Sequence, residues 1–101
     1  VHVPALPGAP DYDPRAGMQK LHDWVSTDLE ALQSGGVDAV MFGNEFDRPY
    51  VLKAPPEGLA ALTAVIVRAK PMIDVPFGVN YLWDPVATVS LAGATWASFC
   101  A

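Results

Sequence analysis

Cysteine, basic residues and histidine are scarce in this chain: one, six and two among 101 residues. Each shortage excludes something. A single thiol, Cys100, leaves no internal disulfide framework and no thiolate-rich metal site, and a reducing, cytoplasmic setting is the expected localisation. Eleven acidic residues against six basic ones give a formal net charge of −5. Nucleic acid and a generic anionic membrane surface both select basic patches, so neither is an expected partner. No apolar run approaches the roughly 18 residues of a transmembrane helix. No basic n-region introduces an apolar stretch as in a secretory signal. A Walker loop, a GxGxxG fingerprint and a nucleophile elbow are all missing, so no cofactor is indicated by motif.

Apolar residues, proline and glycine are plentiful. The chain is 51% hydrophobic and 17% charged, which places it among folded proteins, and its length suits one small domain. Val1–Val3 reads as the tail of a strand, followed by a Pro/Gly-rich loop over 4–14. Asp13-Pro14 predicts a helix start, by N-cap and first-turn proline. Met18, Leu21, Val25, Leu29 and Leu32 then recur at helical spacing until Gly35-Gly36. Residues 37–42 read as a strand that is apolar on both faces, the mark of a parallel strand covered on both sides. Pro55-Pro56 opens a second helix with Leu59, Leu62, Val65, Ile66 and Ala69 on its apolar face, ended by Pro71. Residues 75–80 read as a third strand. Asp84-Pro85 opens a third helix, over 86–92, and 97–101 begins a fourth strand. The predicted order is β-α-β-α-β-α-β. Short connections make the strands parallel and the crossovers right-handed. A doubly wound sheet and a (β/α)8 barrel both fit. A barrel needs roughly 250 residues, so this would be its first half.

Polar residues collect just after the strands: His2 after the first, Asn44, Glu45 and Asp47 after the second, Asn80 and Asp84 after the third. In parallel α/β folds those ends form the ligand face. If sequential strands pair, at about 4.8 Å each, His2, Asn44 and Asn80 stand in a row able to converge on one small molecule. Each has a plainer role open to it. Asn44 suits an Asx turn, and Asp84 an N-cap. His2, Glu45, Asp47 and Asp84 offer metal-ligating atoms without a diagnostic spacing, so no metal is assigned. Cys100 is expected as a small buried hydrophobe, and Trp24, Trp83 and Trp96 as packing residues.

Longer motifs sharpen this. His2 with Ala5-Leu6-Pro7-Gly8, the run Leu32 to Phe42 (LQSGGVDAVMF), Asn44-Glu45-Phe46, Pro49-Tyr50, and Pro76 to Asn80 running on through Leu82-Trp83-Asp84-Pro85-Val86-Ala87 together resemble the BtpA/SgcQ family of TIM-barrel proteins, in its SgcQ-like branch. The resemblance implies that residues 1–101 are a single partial barrel domain, its N-terminal half, truncated at both ends. The chain departs from it in two places. The BtpA branch has an acidic residue, Asn, Phe, Gly and Asp where this chain has Gly43-Asn44-Glu45-Phe46-Asp47, and Trp96 stands where a glycine is usual. The BtpA branch is associated with photosystem I biogenesis at thylakoid membranes, and the SgcQ-like branch with carbohydrate-uptake contexts. Neither implies a catalytic residue.

The expected function is that of an enzyme or binding protein for a small phosphorylated sugar or nucleoside-like metabolite. Glu45 and Asp47 are its candidate acid/base residues, and His2, Asn44, Asn80 and Asp84 its candidate binding residues. Alternatives are a non-catalytic assembly or stability factor, or an inactive fragment. A half-barrel exposes sheet edges, so self-association or pairing with the missing half is expected.

Overall fold

The computed structural model describes residues 1–101. Three helices alternate with three short strands: α1 (Gly17–Ser34), β1 (Val40–Gly43), α2 (Pro56–Ala69), β2 (Phe77–Asn80), α3 (Pro85–Thr95) and β3 (Phe99–Cys100). A 3₁₀ turn, Lys70–Met72, follows α2, where Pro71 cannot continue the α-helical hydrogen-bond ladder. The sheet order is β1-β2-β3, all parallel, with Val40 opposite Phe77 and Gly43 opposite Asn80. The predicted first strand is reduced to one bridge. His2 pairs with Gly43, held by Val3 N–H donating to the Gly43 carbonyl and Gly43 N–H donating to that of Val1. Sequential neighbours therefore pair throughout, an α/β arrangement consistent with the N-terminal half of a β/α barrel.

Helix α1 starts later than Asp13-Pro14 suggests. Asp13 does cap a turn, accepting from the Arg15 and Ala16 N–H groups. Gly17 then takes a φ of +60°, a left-handed value that suits glycine and separates that turn from the helix. Asp84 is the predicted cap of α3, accepting from Ala87 N–H.

The core lies on one side of the sheet. Val40, Phe42, Phe77 and Val79 point toward the helices and meet Leu21, Val25 and Leu29 of α1 and Leu62, Val65 and Ile66 of α2, all buried. The Phe42 and Phe77 rings meet edge to face, 5.9 Å between centroids. The opposite, inner face is open: Met41 and Phe99 are exposed. β1 is a parallel strand, as its apolar run suggests, and residues 1–101 cover it on one side only. Cys100, expected to be buried, is exposed. Trp24, Trp83 and Trp96 are likewise exposed rather than packed in the core.

Trp96 caps α3 in the left-handed region, at φ 62° and ψ 37°, with its side chain 83% exposed. This is the position the resemblance reserves for glycine. A residue with a Cβ is strained there by about 1–2 kcal/mol, and an exposed indole recovers little of it. Trp96→Gly is therefore expected to stabilise the protein by about 1 kcal/mol. The urea midpoint should rise with an unchanged slope; a fall would mean that the indole packs more than its exposure indicates.

Candidate functional site

The six predicted residues lie together at the C-terminal strand ends, where they divide into two groups. Asn44, Asp47 and Asp84 are buried, and their polar atoms serve the backbone of neighbouring loops. Asp47 accepts from Leu6 N–H at 2.8 Å and from the Asn44 amide at 3.2 Å. Asn44 in turn accepts from Leu82 N–H at 2.7 Å. The pair ties the first and third strand-end loops to the second. Asp84 accepts from Ala87 N–H with one oxygen and from Ala54 N–H with the other, fixing the second loop to the third. Backbone groups buried in such loops need these partners.

The second group faces the open side. His2, Gly43 and Asn80 share one register row across the sheet, and Asn44 stands one residue beyond it. Glu45 folds back over Gly43. A Cβ built on Gly43 would lie 2.5 Å from both carboxylate oxygens, so glycine is what makes room for them. His2 Nε2 is 3.9 Å from Glu45 Oε1, beyond hydrogen-bonding distance. Glu45 Oε2 is buried and has no hydrogen-bond partner. The Glu45 side chain is 22% exposed and that of His2 65%. The Asn80 amide, partly exposed, enters none of the loop bonds. His2 and Asn80 thus keep polar atoms accessible on the inner face, beside Glu45, whose Oε2 is buried without a partner.

Residue-by-residue reading missed two supports. The Tyr50 hydroxyl donates to the Glu45 carbonyl at 2.7 Å and positions the backbone that aims the carboxylate. Thr88 accepts from Tyr81 N–H and approaches the Asp84 carbonyl, locking the third loop onto α3. The Thr88 contact had a signal, a hydroxyl four residues after an N-cap; Tyr50 had none. No three His, Cys, Asp or Glu side chains gather to hold a metal ion, and His2 with Glu45 supplies two donors.

The two buried carboxylates respond to pH in opposite directions. The Ala87 and Ala54 N–H groups hold Asp84 below the usual carboxylate range. Its stabilising contribution is present above the unfolded value of 3.8 and is lost as pH falls through its lower folded value. Burial raises Asp47, against the opposing bonds from Leu6 and Asn44. Its contribution is fullest below 3.8 and is lost as pH rises through the raised folded value. Asp84→Asn keeps a good capping residue and removes one titration. The stability gap between wild type and this variant is expected to narrow from about pH 6 down to about pH 3. Urea midpoints across that range check it, and a pH-independent gap would contradict it.

These features define a parallel β/α chain with carboxylates gathered at its C-terminal strand ends. A model of the BtpA family matches residues 1–101. The chain is 53% identical over 98 residues to SgcQ, an sgc region protein of Escherichia coli (strain K12), across 97% of this chain and 37% of SgcQ. It is 31% identical over 100 residues to an uncharacterized protein of Archaeoglobus fulgidus, covering 98% of this chain and 39% of that protein. Uncharacterized protein PH1209 of Pyrococcus horikoshii is 33% identical over 100 residues, covering 98% of this chain and 38% of that protein. No solved structure matches the chain. The chain belongs to the BtpA family, and it spans 37–39% of the length of these relatives. No helix is long and apolar enough to cross a membrane.

Proposed function

We propose that this chain is the N-terminal half of a (β/α)8 barrel and forms one wall of a site for a small phosphorylated sugar or nucleoside-like metabolite. The observation that carries the reading is Glu45 Oε2. A buried carboxylate oxygen without a donor is costly in a folded protein, and a ligand hydroxyl or amine on the inner face would supply the missing bond. Glu45 then serves as the acid/base group, while His2 and Asn80 orient ligand hydroxyls from either side. Asn44, Asp47 and Asp84 contribute by holding the loops that carry these groups. The phosphate grip of such barrels usually follows strands 7 and 8, which lie outside these residues, and the rest of the barrel covers the open inner face.

A second reading, an assembly or stability factor, is favoured by Leu52 and Trp83. They stand exposed on two loops that Asp84 ties together, and exposed apolar groups there suit a protein partner.

Thermal-shift screening of phosphorylated sugars and nucleosides against the whole barrel separates the readings. A stabilising metabolite is expected, with its shift lost in Glu45→Gln and reduced in Asn80→Ala. A hit whose shift survives both substitutions would place the ligand elsewhere.

A further inference from the structure

A second hollow lies apart from the inner face. A cavity of about 230 Å³ opens between the first two strand-end loops and the start of α2; Pro10, Asn44, Asp47, Pro49, Val51 and Tyr81 help to line it, and His2, Glu45 and Asn80 do not. Tyr81 is 1% exposed. Its hydroxyl donates to no protein group and lies against Gly58, where a Cβ would come within 2.5 Å of it. On the same cavity, Asp47 spends one bond per oxygen, on Leu6 N–H and the Asn44 amide, and each oxygen keeps a further lone pair.

The electrostatics select the ligand. No Lys, Arg or His lines the cavity. Burial, with Asp47, Asp84 and Glu57 nearby, pushes the Tyr81 hydroxyl up to about 12, so it remains a neutral hydroxyl at physiological pH. A negative, cation-free hollow repels phosphate and attracts a cation. The proline and valine walls suit a short aliphatic stem, and the volume accommodates about seven or eight non-hydrogen atoms at ~30 Å³ each.

We propose that this cavity binds a small primary ammonium group, with Asp47 and the Tyr81 hydroxyl oxygen accepting its N–H bonds and Pro10 and Val51 packing on its stem. The site is independent of the inner-face reading. Anion recognition by the barrel is assigned elsewhere, so an ammonium bound here would be a second ligand or a second part of a larger one.

The test is an NMR titration of the full chain with ethanolamine, with ethylene glycol as the uncharged counterpart and inorganic phosphate as the anion. Ethanolamine is expected to shift the Leu6 and Asn44 signals saturably, with a Kd of about 1–10 mM for so few atoms. Ethylene glycol should bind at least about tenfold more weakly, and phosphate should leave these signals in place. Asp47→Asn should abolish ethanolamine binding but also loosens the first loop. Tyr81→Phe keeps the ring packing and decides the matter, with an expected loss of about fivefold or more. Unchanged ethanolamine affinity in a folded Tyr81→Phe variant would overturn the proposal. So would equal binding of ethylene glycol, saturable binding of phosphate, or no saturable shift by about 50 mM ethanolamine.

Discussion

Asn44→Ala is expected to lower the stability of the protein by about 3 kcal/mol, the largest effect of any single polar substitution in the strand-end loops. Asn44 is 2% exposed and is bonded on both ends of its amide. Truncation strands Leu82 N–H and removes the donor that faces Asp47 Oδ2. Each orphaned buried group costs about 1–3 kcal/mol. The third loop then keeps only the Asp84–Ala54 tie to the second, and Asp47, which holds Leu6 of the first loop, loses the amide that braces it. Denaturant unfolding reads the loss as a lower midpoint with an unchanged slope. Asn44→Asp preserves the shape but places two carboxylates within hydrogen-bonding distance, so its penalty should grow as pH rises and both ionise. Asn80→Ala, by contrast, should stay within about 0.5 kcal/mol of wild type, because its amide is free. A loss below about 1 kcal/mol for Asn44→Ala would show that water replaces the amide on both sides.

The second large effect is functional. Gly43→Ala is expected to cut ligand affinity or turnover by about 100-fold while leaving the fold within about 1 kcal/mol of wild type. Gly43 has no left-handed φ, so the backbone accepts alanine. The added methyl collides with the Glu45 carboxylate and pushes it off the inner face. Glu45→Gln should produce a loss of the same order. Both changes disable one group, so the double variant should be no worse than either single one. Additive losses would mean that Gly43 and Glu45 act separately.

The fold was legible in the sequence because its signals are local. Alternating apolar runs and helical periods, punctuated by Pro and Gly, gave the parallel β/α order. Asp84-Pro85 marked the α3 cap, and the family resemblance marked Trp96 as standing in a glycine's place, where the helix ends in the left-handed region. Misreadings occurred where the answer depends on distant groups. Asn44 and Asp47 bond Leu82 and Leu6, 38 and 41 residues away, and no spacing in the sequence reports that. Six polar residues at strand ends look alike in one dimension. In three, Asn44, Asp47 and Asp84 are bonded into loops, while His2, Glu45 and Asn80 make no such bonds. The exposure of Met41, Phe99 and Cys100 was equally hidden, because apolar strand residues read as buried whether or not these residues supply a cover.

In the proposed site Glu45, His2 and Asn80 together meet a ligand on the inner face. The most direct measurement is a titration of the full-length protein with the best metabolite from the thermal-shift screen, following the His2 imidazole and the Asn80 side-chain amide by NMR. Both signals should move with one common binding constant, and both should stop moving in Glu45→Gln. Saturable binding that leaves His2 and Asn80 unmoved, or that persists unchanged in Glu45→Gln, would contradict the account.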